Sequence, residues 1–379
     1  MNEPVNGFEL LKQIREKTES GYPDFIELKR YLSIKARTKG IPVSGSFELT
    51  PLCNFSCKMC YVHLDENQLH GQSLLPVDTW KDLIHQAWEA GMFTATLTGG
   101  ECLTYPGFDE LYLYLHSLGC QVGILTNGLL LDERRIQFFK DHTPSMIQVT
   151  LYGGNDEVYE RVTGRRAFAT VTENFKHAVE ANLPVYLTIT PNTYLGEDIF
   201  ETIRVARELS KSVMINSIFT DPRNETGRSG HEDVDVGLYI RAYKYKKQLE
   251  GHETAAIDDD RLPPCGGPCH ELSECGLRCG GGRSSFAINW KGILTPCTEM
   301  QMICGYPLKD GFPAAWAKVN QEANSWPRVP ECEGCAYDGI CNNCAGYMLR
   351  FADPGKQPIG LCEQTREYVR NGIKTIQNC

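Results

Sequence analysis

The sequence has no run of about eighteen apolar residues, the length that a helix needs to cross a bilayer. Its N-terminus, MNEPVNGFEL, lacks the basic segment and apolar core of a secretory signal peptide. The formal net charge is -10 at pH 7 and the pI is about 5.5, and no basic stripe stands out. These absences predict a cytoplasmic protein whose main partner is neither a membrane nor a nucleic acid.

Cysteine, in contrast, is abundant. The 379 residues include 17 cysteines, while the 41% hydrophobic and 23% charged fractions are ordinary for one large domain or two smaller ones. Disulfides are rare in a reducing compartment, so clustered cysteines point to metal. Three of them lie within Cys53–Cys60 and eleven between Cys265 and Cys362. This distribution predicts two metal-bearing regions separated by a conventional fold.

Between the cysteine groups, short apolar segments alternate with amphipathic ones. The predicted strands are Ser46–Thr50, Phe93–Thr98, Val122–Thr126, Met146–Leu151, Val185–Thr190 and Val213–Phe219. The predicted helices are Phe8–Thr18, Asp78–Ala90, Phe108–Leu118, Asp132–Asp141, Ala169–Ala181, Asp198–Leu209 and Val236–Leu249. The alternation indicates βαβ units and a parallel sheet, either a partial barrel or a flat doubly wound sheet. In both, functional groups collect at the C-terminal ends of the strands.

After about Gly251 this alternation stops, and the sequence becomes rich in Gly, Pro and Cys. Few stretches there could bury a helical or strand face unaided, and such regions usually depend on metal for stability. The expected organisation is an N-terminal extension over 1–44, an α/β barrel over 45–250 and a linker over 251–264. A small Cys-rich domain with a C-terminal helix follows over 265–379.

The first cysteine group directly follows the first predicted strand and reads Cys53-x3-Cys57-x2-Cys60, then Tyr61. Three thiolates on one loop can bind three irons of a [4Fe–4S] cubane and leave the fourth iron open for a small chelating ligand. The alternative is a zinc site completed by His63 or His70, although zinc motifs usually use paired spacings. The position after strand one favours the iron–sulfur interpretation.

Cx3Cx2C with an adjacent aromatic residue resembles the signature of the radical S-adenosylmethionine (SAM) superfamily. The resemblance implies that the open iron binds the amino and carboxylate groups of SAM. It also implies that electron transfer cleaves SAM to methionine and a 5′-deoxyadenosyl radical, which abstracts a substrate hydrogen. The superfamily core is a partial (β/α)6 barrel, in agreement with the six predicted βα units. The expected fold class is therefore α/β, a partial (β/α)6 barrel followed by a Cys-rich domain.

A second motif, Thr98-Gly99-Gly100-Glu101, ends the second predicted strand. It is similar to the GGE element of the superfamily, where backbone carbonyls and the acidic residue receive the SAM ammonium. Glycine permits the close backbone approach that such binding needs. The resemblance therefore implies that Gly99, Gly100 and Glu101 bind the cofactor.

Further SAM contacts are implied at the ends of the next strands. Asn127 lies in a Thr-Asn-Gly string after strand three, and Thr150 ends strand four where relatives often carry SLDG. Tyr61, next to the last cysteine of the loop, is a further expected contact. Arg161 resembles a position that pairs with the SAM carboxylate, for which a guanidinium suits through bidentate hydrogen bonds. The alternatives for this role are Arg165 and Arg166.

The C-terminal cysteines resemble the SPASM domain, an extension of radical SAM enzymes that modify peptides and proteins. The pattern is Cys279-x12-Gly292-x4-Cys297, then Cys332-x2-Cys335-x5-Cys341-x2-Cys344, then Cys362. The family usually has three residues before the sixth cysteine, and this sequence has two. The alternative interpretation is a pair of zinc ribbons, which two Cys-x2-Cys elements would satisfy.

The resemblance implies two auxiliary [4Fe–4S] clusters with interleaved ligands, so that cluster loss should unfold the region. Cluster I would use Cys279, Cys297 and Cys344, with Cys275 as the fourth ligand in competition with Cys265 and Cys269. Cluster II would use Cys332, Cys335, Cys341 and Cys362. Four cysteines fit no cluster pattern and are expected to be ordinary thiols, namely Cys102, Cys120, Cys304 and Cys379.

The expected activity is hydrogen abstraction from a peptide or protein, most simply by a maturase of ribosomally synthesised peptides that forms thioether or carbon–carbon crosslinks. The sulfatase-maturing relatives, which oxidise a residue to formylglycine, carry Asp where this sequence has Thr298. Glu299 and Tyr152 are the candidate acid–base groups, together with Asp156. A non-catalytic metal-binding protein is the rival interpretation.

Two further partners are expected. One is an electron donor of the flavodoxin or ferredoxin type. The other is a separate protein that binds the leader peptide of the substrate. Many peptide maturases carry an N-terminal module for this purpose, and only 44 residues precede the predicted barrel here. The alternative is that the enzyme's own cleft recognises the peptide.

Overall fold

The computed structural model describes residues 25–216, 223, 235–252, 254, 276–333, 335–337, 340–341 and 344–374. The predicted helix Phe8–Thr18 lies outside them, as do Cys265, Cys269 and Cys275. Across this described part, no helix combines the length and the apolar character that a membrane crossing requires.

Within the described residues, eight strands form one sheet in the order β6-β5-β4-β3-β2-β1-β7-β8. The six predicted strands are confirmed with small shifts of their ends, and the last three residues of the predicted strand Val213–Phe219 lie outside the described residues. The sheet is parallel from β6 through β7, and only β8 runs antiparallel to its neighbour. The strands are β1 Ser44–Glu48, β2 Thr94–Thr98, β3 Gln121–Thr126, β4 Met146–Thr150, β5 Val185–Ile189, β6 Val213–Ile215, β7 Ser285–Ile288 and β8 Leu294–Thr295.

Helices separate the parallel strands as the alternating pattern predicts. The six predicted helices within the described residues are confirmed. The helices are α1 Phe25–Lys39, α2 Val77–Glu89, α3 Phe108–Ser117, α4 Glu133–Asp141, α5 Asp156–Thr163, α6 Phe168–Glu180, α7 Ile199–Leu209, α8 Val236–Leu249, α9 Pro307–Asp310, α10 Phe312–Asn324, α11 Ala345–Met348 and α12 Ile359–Arg370.

Side-chain caps fix where several helices begin. Asp132 accepts a hydrogen bond from the Arg135 N–H at the start of α4, and Asn155 accepts from two N–H groups of α5. Asp235 caps α8 in the same way. Such caps satisfy N–H groups that have no partner within the helix, at about 1 kcal/mol each.

Strand order decides between the two architectures that the sequence leaves open. A doubly wound sheet reverses its order at a switch point, whereas β1 to β6 lie side by side in sequence order. Right-handed crossovers then place every intervening helix on the same face. The protein therefore has the singly wound α/β arrangement of a partial barrel.

The two faces of the sheet differ in chemistry. The helix-covered face contributes Phe47, Leu97, Ile124, Val149 and Leu187, each 0% exposed, to one continuous hydrophobic core. Alternate positions on the same strands are only partly buried and are mostly polar: Ser46, Thr96, Gln148 and Tyr186. The second face of the sheet is therefore the more polar and the more accessible of the two.

Part of the C-terminal region shares the barrel core, contrary to the expectation that few of its stretches bury a face unaided. The parallel pairing of β7 with β1 places Phe286 edge-on against Phe47 and Phe312, with ring centroids 5.9 and 5.0 Å apart. The Trp316 indole N–H on α10 donates to the Gly40 carbonyl at 2.7 Å. These apolar positions were not predicted, because the frequent glycines and cysteines of this region interrupt its hydrophobic pattern.

The remainder of the C-terminal region has a second, much smaller core. Tyr337 and Val369 are buried there, and Cys335 and Cys341 pack against them with little else. The predicted domain boundary over 251–264 falls largely outside the described residues and stays a prediction.

Candidate active site and metal centres

The Cys53–Cys60 loop lies at the carboxyl end of β1 and is held from two sides. The N–H groups of Ser56 and Lys58 donate to the carbonyls of Thr163 and Val162 at the end of α5, at 2.9 and 3.0 Å. Backbone hydrogen bonds therefore fix the middle of the loop, and the loop does not depend on its cysteines alone for its shape.

The Gly99-Gly100 pair packs directly against the residues before Cys53. A Cβ on Gly99 would lie 2.3 Å from the Thr50 carbonyl oxygen, and one on Gly100 would lie 2.3 Å from that of Leu52. Gly99 also has a φ of +140°, which side chains rarely adopt. Glycine is therefore required for this close approach of the β2 end to the cysteine loop.

Glu101 joins the ends of β2 and β3 beneath this loop. Its side chain is 1% exposed and accepts hydrogen bonds from the Leu103 N–H, the Thr126 hydroxyl and the Asn127 N–H at 3.1, 2.8 and 2.8 Å. Burial raises the pKa of Glu101 above its usual value, against the lowering effect of these hydrogen bonds. A buried carboxylate close to Cys53 is suited to receive an ammonium group.

Amide groups are directed at the sulfur atoms of the loop. The Phe55 N–H donates to Cys53 Sγ at 3.4 Å, the Asn127 side-chain amide donates to the same sulfur at 3.6 Å, and the His63 N–H donates to Cys60 Sγ at 3.3 Å. Such donors stabilise the thiolate, the form that binds metal. Burial raises the pKa of Cys53 to about 12, and the Glu101 carboxylate adds to this rise, so a thiolate here needs a neighbouring cation such as iron.

Two of the three cysteines of the loop, Cys53 and Cys60, thus have N–H donors directed at their sulfur atoms. Within the described residues, no three His, Cys, Asp or Glu side chains converge as the ligands of a single metal ion would. Cluster ligands differ, because each thiolate binds its own iron. The loop therefore fits a [4Fe–4S] cluster with a free corner.

The predicted SAM contacts occupy different positions relative to this loop. Asn127 contacts Cys53 and hydrogen-bonds to Asn54 Oδ1 at 2.6 Å, and Thr150 lies half-buried at the end of β4. Arg161 instead donates to the Tyr194 carbonyl at 2.9 Å and pairs with Asp198 at the start of α7.

Two alternatives for the arginine role also have defined places. Arg165 donates to the Asn54 carbonyl at 3.2 Å, within the cysteine loop, whereas Arg166 pairs with Glu160 at 3.1 Å. Arg165 therefore contacts the loop directly, while Arg161 and Arg166 pair with acidic side chains of other elements.

The acid–base candidates separate in the same way. Tyr152 lies beside the loop, with its ring edge-on to Phe55 at 6.2 Å; burial raises its pKa well above the usual value, and the nearby Cys57 thiol raises it further. Asp156 caps α6, because it accepts from the Phe168 N–H at 2.9 Å. Its carboxylate is therefore used structurally.

Glu299 lies between the two metal-bearing regions. Its charge contributes, behind burial, to raising the pKa of both Tyr61 and Cys344. Tyr61 follows Cys60, and Cys344 belongs to the predicted auxiliary cluster I. Glu299 therefore acts electrostatically on one residue of each region.

Two residues at this junction carry no sequence motif. Glu48 at the end of β1 is 2% exposed and forms a bidentate ion pair with Arg223, at 2.7 and 2.8 Å. An acidic residue at the end of a strand, shortly before the cysteine loop, was the available signal for Glu48. Arg223 lies 175 positions further along the sequence, and no local pattern indicates it.

Three of the C-terminal cysteines come together near the barrel. Burial raises the pKa of Cys297 to about 12, and its neighbours Cys344 and Cys279 raise it further. The Glu299 and Met300 N–H groups donate to Cys297 Sγ, and the Gly281 N–H donates to Cys279 Sγ at 3.4 Å. This group contains the three predicted ligands of cluster I within the described residues; Cys275 lies outside them.

Four further cysteines form a separate group. Burial raises the pKa of Cys332 to about 11, and Cys362, Cys341 and Cys335 raise it further. The Thr365 hydroxyl donates to Cys341 Sγ at 3.4 Å, and the Gln357 side-chain amide donates to Cys362 Sγ at 3.8 Å. The structure therefore brings together the four cysteines predicted for cluster II.

The barrel cysteines outside these groups behave as core residues. Cys102 is 0% exposed, and its thiol donates to the Leu125 carbonyl at 3.3 Å. Cys120 is 7% exposed and belongs to the same hydrophobic core. Sulfur that donates within a core has the role of an ordinary thiol.

Comparison with curated proteins finds several relatives that align with most of the chain. The chain is 23% identical over 299 residues to the sporulation killing factor maturation protein SkfB of Bacillus subtilis, covering 77% of this chain and 70% of SkfB. It is 28% identical over 318 residues to the antilisterial bacteriocin subtilosin biosynthesis protein AlbA of the same species, covering 80% and 67%. The AdoMet-dependent heme synthase of Methanosarcina barkeri is 24% identical over 321 residues, covering 79% and 90%.

The fold also matches a solved structure. Streptococcus suis SuiB bound to S-adenosylmethionine superposes with a TM-score of 0.66 at 16% identity, covering 94% of this chain and 87% of SuiB. The model of the Radical SAM superfamily matches residues 47–209, which contain the cysteine loop, the GGE element and β2 to β5. Residues 47–209 therefore form a radical SAM domain.

Proposed function

We propose that this protein is a radical SAM maturase that modifies a ribosomally synthesised peptide. The observation that carries the proposal is the pairing of a three-cysteine loop, positioned by a partial barrel, with two further cysteine groups in the C-terminal region. Enzymes of this superfamily bind SAM on a [4Fe–4S] cluster, and the SPASM extension is typical of those that act on peptides and proteins. SkfB and AlbA, named for peptide maturation and bacteriocin biosynthesis, support this substrate class.

Cys53, Cys57 and Cys60 would hold the cluster that supplies a 5′-deoxyadenosyl radical from bound SAM. Glu101 would accept hydrogen bonds from the SAM ammonium, since its carboxylate is buried beside the loop. The rest of the SAM-binding site would be formed by Gly99, Gly100, Asn127, Thr150 and Tyr61. Arg165 is better placed than Arg161 to meet the SAM carboxylate, because Arg161 is engaged by Asp198.

The C-terminal cysteines would hold two auxiliary [4Fe–4S] clusters, one on Cys279, Cys297 and Cys344 with an upstream cysteine, and one on the four-cysteine group. A free corner on cluster I would favour binding of a substrate thiolate, and four protein thiolates would favour electron relay. Glu299 would receive or donate a proton at the substrate, because it lies between the two regions. Tyr152 is the weaker candidate, since burial keeps its phenol protonated.

The expected product carries a thioether or carbon–carbon crosslink. The structure of SuiB bound to the precursor peptide SuiA supports a peptide as the class of substrate. An electron donor of the flavodoxin or ferredoxin type would reduce the SAM-binding cluster in the cytoplasm. A separate leader-peptide-binding protein would be a further partner if the cleft alone does not select the peptide.

Two observations bear on alternative reactions, one for and one against. The heme synthase likeness extends over 90% of that relative's length, so a tetrapyrrole is the second candidate substrate. Formylglycine formation is disfavoured by Thr298, whose hydroxyl does not serve as a carboxylate base, although the neighbouring Glu299 offers one.

Anaerobic reconstitution with iron and sulfide tests the proposal. We expect about twelve irons per protein molecule and release of 5′-deoxyadenosine on reduction with SAM. Stoichiometric zinc without SAM cleavage would refute it in favour of a non-catalytic metal-binding protein. Incubation with short peptides encoded beside this gene, and separately with tetrapyrroles, then distinguishes the substrates: a mass loss of two hydrogens in a peptide supports crosslinking.

A further inference from the structure

A buried ion pair lies at the junction of the two metal-bearing regions. The Arg223 guanidinium faces the Glu48 carboxylate with both nitrogens, and the two side chains are 13% and 2% exposed. Removal of two charges from water is costly, and a buried pair is often no more stabilising than apolar residues of the same size. The position of this pair therefore calls for a reason other than stability.

Arg223 contacts one residue next to a predicted cluster ligand in each region. Its backbone N–H donates to the Tyr61 carbonyl at 3.1 Å, and its guanidinium lies 5.5 Å from the centre of the Tyr61 ring. The same guanidinium donates to the Thr298 carbonyl at 3.1 Å. Tyr61 follows Cys60 and Thr298 follows Cys297, so a single arginine reaches both loops.

We propose that Arg223, oriented by Glu48, fixes the position of the Cys53–Cys60 loop relative to the Cys297 loop. It would thereby set the distance and orientation between the SAM site and auxiliary cluster I. Arg223 is a positioning residue, because it acts through the two loops. The inference rests on the proposed function only in assuming that both loops bind clusters.

The chemistry of arginine suits this role. Its planar fork carries five N–H donors, so it binds a carboxylate with two nitrogens and still donates to a carbonyl. A lysine keeps the charge but presents one compact ammonium, which cannot reproduce this geometry. Glu48 belongs to β1 in the rigid sheet, so the fork is oriented by the barrel core and not by either loop.

The first test measures the link itself, by hydrogen exchange on the full-length protein. We expect Arg223→Met and Arg223→Lys to speed amide exchange at least tenfold in both loops, with β2 to β5 unchanged. Glu48→Gln, a milder change, should speed exchange in the same two loops by a smaller factor. Arg241→Met is the matched control, because Arg241 also forms a bidentate pair with Glu197 but on the surface.

The second test measures positioning, which a merely structural role would not change. In the reduced holoenzyme, electron paramagnetic resonance detects the magnetic interaction between neighbouring clusters. We expect this interaction to weaken in both Arg223 variants at unchanged iron content, and to stay as in the parent in Arg241→Met. Exchange that rises in one loop only, or an unchanged magnetic interaction, overturns the proposal.

The outcomes also separate this proposal from the proposed function. A parent protein that binds no cluster at Cys53–Cys60 refutes the function, while hydrogen exchange still tests the link between the loops. A parent that cleaves SAM, with Arg223 variants that match it in both measurements, refutes the positioning role alone. A variant that fails to fold loses protection throughout β2 to β5, and the decision then rests on Glu48→Gln.

Discussion

The Cys53–Cys60 loop and the Cys332–Cys362 segment both bring cysteines together, but the protein supports them differently. The loop packs on the large barrel core and is held by backbone hydrogen bonds to α5 and by close packing of Gly100. Among the described residues, Cys335 and Cys341 of the segment pack, with Ala336 and Ile340, against a small core formed by Tyr337 and by Val369 of α12. The fold therefore builds the first site, whereas the second site is itself part of what holds its segment together.

The largest effect should come from removing the loop ligands. We expect the combined Cys53→Ala, Cys57→Ala and Cys60→Ala protein to release no detectable 5′-deoxyadenosine while it keeps about eight of about twelve irons. The barrel should stay folded, because Cys57 is a small part of its large core and Cys53 and Cys60 only pack against that core. Iron analysis and circular dichroism check this, and loss of the barrel's helical signal would contradict the comparison.

Removal of ligands from the four-cysteine group should instead unfold its segment. We expect Cys335→Ala with Cys341→Ala to lose about four irons and to make the residues that follow Pro327 about a hundredfold more sensitive to proteolysis. The reason is that these cysteines are a large part of the apolar surface in this small core. Limited proteolysis with mass spectrometry locates the cleavage. Equal resistance in the parent and the variant would show that the segment folds without its metal.

Replacement of Glu101 tests whether the barrel side binds SAM through a preformed carboxylate. We expect Glu101→Gln to weaken SAM binding about 10- to 100-fold, since a charge-assisted hydrogen bond contributes about 1.5–3 kcal/mol. Equilibrium binding to the reconstituted protein measures the change, with iron content as the control. An unchanged Kd would exclude Glu101 as the ammonium partner.

A pair of arginine variants refines the same side of the comparison. We expect Arg165→Met to raise the Kd for SAM about tenfold, as the loss of one bidentate contact would. Arg161→Met should change it less than about twofold, because the Arg161 guanidinium is bound to the Tyr194 carbonyl and to Asp198 and not to the cysteine loop. A larger effect of Arg161→Met than of Arg165→Met would show that Arg161, and not Arg165, binds the SAM carboxylate.

The sequence predicts the barrel side more completely than the C-terminal side, for physical reasons. In β1 to β6 and in the helices between them, apolar residues recur at the spacing of a strand or a helix, so each element can be predicted from its own sequence. Cx3Cx2C and the GGE element lie at the ends of two of these strands. Strand β7 was not predicted, because a segment of four residues, Ser285–Ile288, shows no clear strand pattern by itself and is stabilised by pairing with β1. Apolar positions such as Phe286 and Trp316 likewise depend on a partner that is distant in sequence.

Within the site, the residues that escaped prediction are those that act across long sequence separations. Arg223 meets Glu48 over 175 positions, and no local pattern encodes such a contact. The role expected of Arg161 depended on resemblance to a family position, but the turn after α5 brings Arg165 into contact with the loop. The spacing of residues in the sequence therefore predicts metal ligands that lie on one loop, but it does not predict contacts between residues from distant parts of the chain.

The smallest effect is expected for a cysteine that belongs to the barrel core and to no cluster. Cys120→Ala should lower the free energy of unfolding by about 1 kcal/mol, since a small buried side chain is shortened without loss of a metal ligand. Iron content and 5′-deoxyadenosine release should equal those of the parent. Thermal or denaturant unfolding, read beside iron analysis, makes the measurement. Cys120 belongs to the barrel core, whereas the cluster ligand Cys341 packs against the small C-terminal core. A loss of iron in Cys120→Ala would therefore mean that cluster assembly depends on packing within the barrel. The two regions would then be one cooperative unit.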